Sequence, residues 1–181
     1  DALFLDPFGL IAASALPDAV KVSLILELSD ASGSRGMVAG QVLDMEGEHK
    51  QLTLAELQTI HANKTGRLLA YPFIAAGLIL ELQADIAQLL EKIGKKLGLA
   101  FQVRDDILDL VADFEALGKT PQKDLVAEKS TYPALLGLEE SKALLTSELD
   151  ACEDLLDRIT AACDFDPRAI KKLIEGLRID G

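Results

Sequence analysis

Leu, Ala, Glu and Lys recur along the chain at helical spacing, and no stretch sustains the alternation of polar and β-branched residues that marks a half-buried strand. The pattern predicts an all-α fold. From Ala2 to Ala15 the residues are apolar on most sides, which suits a buried helix with Pro7 in its first turn or at a kink. Pro17-Asp18-Ala19 opens a second helix with Val22, Ile25, Leu26 and Ser29 along one side. Between Ala31 and Gly40 nearly every turn carries a small residue, so a neighbouring helix or a ligand can approach the backbone closely. Thr53-Leu54-Ala55-Glu56 has the capping-box form, and predicts a helix running past Lys64-Thr65-Gly66 to about Ala70. Another apolar helix follows Pro72 as far as Leu82. Asp85 to Asp113 reads as one long helix, with Gly94 and Gly98 as interruptions. Gly118-Lys119-Thr120-Pro121 stops it and begins a polar loop through Lys129. Pro133 to Thr160 is an amphipathic helix or helical pair, and Pro167 to Leu177 a short last helix. With no repeat, low-complexity tract or internal boundary, residues 1–181 read as a single all-α domain.

Composition narrows what such a domain does. The formal charge is −12 and aromatics are 4% of residues, so there is neither a phosphate-neutralising surface nor a base-stacking platform, and nucleic acid is excluded as a partner. Cys152 and Cys163 are the only cysteines and show no metal-ligand spacing, which fits a reducing, cytoplasmic setting. The longest apolar stretch, Tyr71 to Leu80, is broken by Pro72 and Gly77 and falls short of a membrane span. The chain opens on Asp1 without a signal sequence, and reads as part of a longer protein.

The candidate chemistry lies in Gln102-Val103-Arg104-Asp105-Asp106-Ile107-Leu108-Asp109, followed by Asp113. On a helix Asp105, Asp109 and Asp113 form an i, i+4, i+8 row, and Asp106 and Asp109 are i, i+3. Such carboxylates repel, and a hard cation that also binds substrate phosphates relieves the repulsion. The same row also fits a solvated acidic face. Four lysines stand where a helix end or loop could bring them over it: Lys64, Lys119, Lys123 and Lys129. A metal-bound diphosphate uses both kinds of charge, carboxylates for the cation and ammonium groups for the remaining oxygens. Singly, each lysine reads as readily as a surface residue. His49 and His61 have no partner at ligand spacing and read as surface or packing residues.

These residues resemble a known family. The run Gly98 to Asp109, then Leu117-Gly118-Lys119 with Asp124, then Lys129-Ser130-Thr131-Tyr132-Pro133 through Leu138, is similar to the C-terminal part of bacterial short-chain trans-isoprenyl diphosphate synthases. Asp1-Ala2-Leu3 resembles the end of that family's Gly-Asp-Ala-Leu motif. Gly40-Gln41-Val42-Leu43-Asp44-Met45 and His61-Ala62-Asn63-Lys64-Thr65-Gly66 resemble two more of its motifs. The resemblance spans the whole chain, with the motifs in order. It implies helices around an apolar cavity and condensation of an allylic diphosphate with isopentenyl diphosphate, farnesyl diphosphate being the favoured product. Mg²⁺ would be the cofactor, with Mn²⁺ as a substitute, and the protein would be a homodimer. By the same resemblance Asp105, Asp106 and Asp109 would hold Mg²⁺. Lys64, Lys119 and Lys129 would bind the diphosphate, Thr65 and Gln102 would face the developing allylic cation, and Gln41 would line the same cavity.

Departures from the family are also legible. Its first aspartate-rich motif, the paired arginines after it and the residues that hold isopentenyl diphosphate are not in this sequence, and are expected to precede residue 1. The 181 residues alone are therefore expected to be inactive. Two rival readings stand: a terpene cyclase or head-to-head condensing enzyme, and a non-catalytic subunit or domain of a prenyl synthase. Lys64-Thr65 together with Lys129-Ser130-Thr131-Tyr132 speaks against the first.

Overall fold

Helix α6, Ala84–Leu117, is the axis on which the other elements are laid. The structure, a computed structural model, describes residues 2–117 and 130–179. Ahead of α6 come α1 (Ala2–Ala13), α2 (Asp18–Ser32), α3 (Met37–Gly47), α4 (Leu54–His61), a π-helical turn (Ala62–Gly66) and α5 (Arg67–Ile79). After it come α7 (Tyr132–Leu136), α8 (Leu138–Ala162) and α9 (Arg168–Leu177). Every described regular element is helical, as the hydrophobic spacing predicts.

The core forms where α6 meets α8. Ile93, Ala100, Val103 and Ile107 on α6 are fully buried, and so are Leu149, Cys152, Leu156 and Ile159 on α8. These sets recur at steps of three, four and seven residues, the spacing of one helix face. The pairs Lys96–Glu148 at 2.9 Å and Ile93–Cys152 at 3.9 Å step in opposite directions along the two helices, so they run antiparallel. Each fully buried Ile or Leu contributes about 1.5–3 kcal/mol. Helix α9 closes one end with Ile174 and Leu177 buried, and Arg178 beyond it bonds Asp150 at 2.9 Å and Glu153 at 3.0 Å on α8. On the other side α5 packs along α6, and α2 packs along α5, where Tyr71 donates to the Leu24 carbonyl at 3.3 Å.

Several boundaries differ from expectation, each for a physical reason. The chain does not break at Pro72: helix continues from Leu54 through the π turn to Ile79. Burial of Ala70 and Gly77 along α5 outweighs the one hydrogen bond that proline removes. Helix α5 ends at Leu80 in a Schellman arrangement, with Glu81 at φ 48° in the place usually given to glycine and Leu82 N–H donating to Gly77 at 3.0 Å. Gly94 and Gly98 do not interrupt α6. They admit α5 and the π turn instead, since a Cβ at Gly94 would lie 2.8 Å from the Ala70 Cα. Helix α3 is absent from the sequence reading because its small residues carry little periodicity. Between α7 and α8, Gly137 at φ 90° turns the chain in a way side-chain-bearing residues resist, so a helical pair forms. The expected polar loop, with Lys119, Lys123, Asp124 and Lys129, lies outside the described residues. No helix among the described residues is long and apolar enough to cross a membrane.

Candidate active site

The site is built on the π turn. Thr53 starts the helix leading to it: its N–H donates to Glu56 Oε2 at 2.8 Å, and the Glu56 N–H donates back to Thr53 Oγ1 at 3.3 Å. Hydrogen bonds from Thr53 hold the Glu56 carboxyl below the usual carboxylate range. One turn past α4 the helix widens, the Arg67 N–H bonding to the Ala62 carbonyl five residues back. The widened stretch carries Lys64 and Thr65. Two glycines bring other helices against it. A Cβ at Gly40 of α3 would stand 2.1 Å from the Lys64 backbone nitrogen, and one at Gly98 of α6 would stand 2.8 Å from the Gly66 Cα. The small-residue stretch read from the sequence thus ends in one obligatory close approach, made by a helix rather than a ligand. Four residues after Gly40, on the same side of α3, Asp44 accepts a bond of 2.5 Å from Lys64 Nζ.

Beside the π turn opens a cleft of about 550 Å³. Helix α6 lines it with Gln102, Asp105, Asp106 and Asp109, and the helical run before it with His61, Lys64 and Thr65. Asp44, Glu48, His49 and Lys50 line it from α3 and the connection after it, and Ser130 and Thr131 from the segment leading into α7. Asp105 and Asp109 are exposed, whereas Asp106 is half-buried. Among the described lining residues five carboxylates face two lysines, Lys50 and Lys64. An anion entering this cleft therefore meets net repulsion until cations accompany it.

Residues 130–132 are tied into that wall. Ser130 Oγ accepts from the Leu52 N–H at 3.1 Å and donates to the Lys50 carbonyl at 3.4 Å. Tyr132 is fully buried, its N–H donates to Asp106 Oδ2 at 2.9 Å, and its ring stands 5.5 Å from that of His61 at 50°. Burial, with the Asp106 and Glu148 charges adding to it, pushes the Tyr132 phenol well above its ordinary value. Its hydroxyl is buried without a hydrogen-bond partner among the described residues.

Of the residues singled out in the sequence, Lys64, Thr65, Gln102, Asp105, Asp106 and Asp109 come together in this cleft. Gln41, expected in the same lining, does not reach it: Gln41 is exposed on α3, and Asp44, less than one turn further, faces Lys64 instead. Lys119 and Lys129 lie outside the described residues. His49 and His61, read as surface or packing residues, both line the cleft. Lys50 carries no sequence signal, because it sits in a connection without motif or period.

The donors are hard carboxylate oxygens, which suit Mg²⁺, an ion usually held by one or two carboxylates plus substrate phosphates. Among the described residues no three His, Cys, Asp or Glu side chains converge as a ready-made cage.

Residues 3–163 match the polyprenyl synthetase family. The chain belongs to that family. The farnesyl diphosphate synthase of Micrococcus luteus is 47% identical to this chain over 175 residues, which are 97% of the chain and 60% of that protein. For the farnesyl diphosphate synthase of Geobacillus stearothermophilus the figures are 46% over 138 residues, 76% and 46%. In structure, a geranyltransferase from Helicobacter pylori, solved complexed with magnesium and isoprenyl diphosphate, matches with a TM-score of 0.78 at 31% identity. That match covers 94% of this chain and 56% of the geranyltransferase. The all-α architecture is that of the isoprenoid synthases. The chain spans about three-fifths of the length of the Micrococcus relative.

Proposed function

We propose that the intact protein joins an allylic diphosphate to isopentenyl diphosphate, with farnesyl diphosphate as the favoured product. The observation that carries this reading is the gathering of Lys64, Thr65 and Gln102 against Asp105, Asp106 and Asp109 in one cleft from two separate helical runs. Relatives that share up to 47% of aligned residues bear the name farnesyl diphosphate synthase, which supports the same reaction.

The acid row, Asp105 and Asp109 foremost, would hold Mg²⁺, with Mn²⁺ as a substitute; bound there, the ion neutralises a leaving diphosphate. Lys64 donates to diphosphate oxygens, and Lys119 and Lys129 are assigned the same task. Thr65 Oγ1 and Gln102 Oε1 turn electron-rich oxygen toward the allylic carbon as its bond to oxygen lengthens. Isopentenyl diphosphate supplies the electron pair that closes the new carbon–carbon bond, and loss of a proton from the adduct completes the product. Preorganised charge is the main source of rate, since the attacking electron pair comes from isopentenyl diphosphate and the reaction needs no protein nucleophile.

A homodimer belongs to this reading, because Leu5 and Leu10 on α1 and Val22 and Leu26 on α2 are all more than half exposed and give a second copy apolar surface to cover. A cytoplasmic setting agrees with the two cysteines remaining free thiols.

The test is product formation from geranyl diphosphate and labelled isopentenyl diphosphate by the intact protein, with and without Mg²⁺. Expected is Mg²⁺-dependent elongation that Asp105→Asn and Lys64→Ala each lower at least a hundredfold, about 2.7 kcal/mol of barrier. Elongation insensitive to both substitutions would overturn the assignment of this cleft.

A further inference from the structure

The first four amides of an α-helix have no partner inside it. In α7, whose N-cap is Thr131, those that follow the cap belong to Tyr132, Pro133 and Ala134, and each is accounted for. Pro133 has no N–H. Ala134 donates to Thr131 Oγ1 at 3.3 Å and Leu135 to the Thr131 carbonyl at 3.0 Å. Tyr132 remains, and its N–H donates to Asp106 Oδ2, 26 residues away in sequence. Because Tyr132 is fully buried, water is not at hand to replace that acceptor, and losing it leaves a desolvated donor.

Asp106 thus differs from its neighbours. Asp105 and Asp109, one turn apart, are exposed on the cleft wall, whereas Asp106 is half-buried with one oxygen engaged by the backbone of another element. The same short segment bonds the 50–52 connection through Ser130 and packs on His61 through Tyr132. It spans the cleft from α6 to the connection after α3, and the Asp106 bond is its attachment on the α6 side.

We propose that Asp106 is the cap of α7, a positioning residue that fastens residues 130–132 to the acid row, and that Asp105 and Asp109 are the carboxylates offered to the cation. This rests on the reading of the cleft given above and divides a triplet that the family resemblance groups together. Asparagine at 106 keeps an acceptor oxygen and removes the charge; alanine removes both. The bond to Tyr132 therefore follows the oxygen, while the charge is absent from both variants.

The experiment compares Asp106→Asn, Asp106→Ala and Asp105→Asn in the intact protein by amide exchange at Tyr132 and by Mg²⁺ titration of inorganic diphosphate binding. Expected is that Tyr132 exchange is unchanged in Asp106→Asn and at least about tenfold faster in Asp106→Ala. The Mg²⁺ concentration for half-maximal binding should move less than about threefold in Asp106→Asn and more than about tenfold in Asp105→Asn. The proposal is overturned if Asp106→Ala leaves Tyr132 exchange unchanged, or if Asp106→Asn shifts the Mg²⁺ requirement as far as Asp105→Asn does. A parent protein that binds no diphosphate with Mg²⁺ would count against the function proposed for the cleft, and the exchange comparison would still decide whether Asp106 caps α7.

Discussion

Gly98 and Gly66 meet backbone to backbone: a methyl group on Gly98 would stand 2.8 Å from the Gly66 Cα. With Gly40 against Lys64, this contact fixes where the π turn sits between α3 and α6, and hence where Lys64 and Thr65 emerge. Gly40→Ala and Gly98→Ala should each destabilise by about 1–3 kcal/mol, because backbone rather than a flexible side chain must give way. Gly176→Ala in α9, which meets nothing within 4 Å, should gain about 0.5–1 kcal/mol instead. Denaturant midpoints of the three variants check this; equal losses at all three positions would remove the close approach as the cause.

On the function proposed for the cleft, Asp44 and a diphosphate would compete for the Lys64 ammonium group. The Lys64–Asp44 pair is about one-third exposed on each side, so its worth is modest, about 0.5–1 kcal/mol. Asp44→Asn should therefore leave the melting temperature nearly unchanged and tighten Mg²⁺-dependent binding of inorganic diphosphate two- to fivefold, read by calorimetry. Weaker binding in Asp44→Asn would show that Asp44 orients Lys64 for the anion.

Tyr132 combines a buried ring with a hydroxyl that has no hydrogen-bond partner among the described residues. Tyr132→Phe should melt no lower than the parent, since it removes a buried oxygen that no bond repays, whereas Tyr132→Ala should lose about 3–5 kcal/mol. The phenol's raised pKa also has a sign. The folded state keeps the proton that the unfolded state releases near its ordinary value of 10.0, so Tyr132 stabilises the fold below that pH and loses the contribution as pH climbs above it. Tyr132→Phe should flatten the alkaline limb of the stability profile; an unchanged limb would exclude Tyr132 as its source.

The two thiols should separate cleanly. Cys152 is fully buried and its pKa is pushed up to about 12 by desolvation, while Cys163 is exposed at the end of α8. A water-soluble disulfide reagent at pH 8 should modify Cys163 at once and Cys152 only on global unfolding. Prompt reaction at both would mean that the α6–α8 interface opens locally.

Helical periodicity carried α6 and α8 into view because each buries one face against the other, and such faces repeat every three or four residues. The acid row was legible for the same reason, since spacing on a helix sets which side chains share a face. Other elements had no such signature. Gly94 and Gly98 weaken a helix taken alone, and only the neighbours they admit explain why α6 runs through them. Pro72 likewise reads as a stop until the burial around it is known. The π turn costs no residue a distinctive type, and His49, Lys50 and Glu48 reach the cleft through a connection whose path depends on Ser130, far away in sequence. Asp106 is the sharpest case: the family resemblance groups it with Asp105 and Asp109, and its bond to Tyr132 sets it apart.

The wide turn at Ala62–Gly66 also sets an angular phase. A π turn takes up one more residue than the α turn it replaces, so deleting one residue within 62–66 would restore a regular α turn and change which side chains that turn presents. Either Lys64 and Thr65 would swing out of the cleft, or Gly66 and Ala70 would lose their seats on Gly98 and Gly94. The turn lets one continuous helix answer to two facing surfaces that a regular repeat cannot satisfy together, and shortening it by a single residue forces a choice between them.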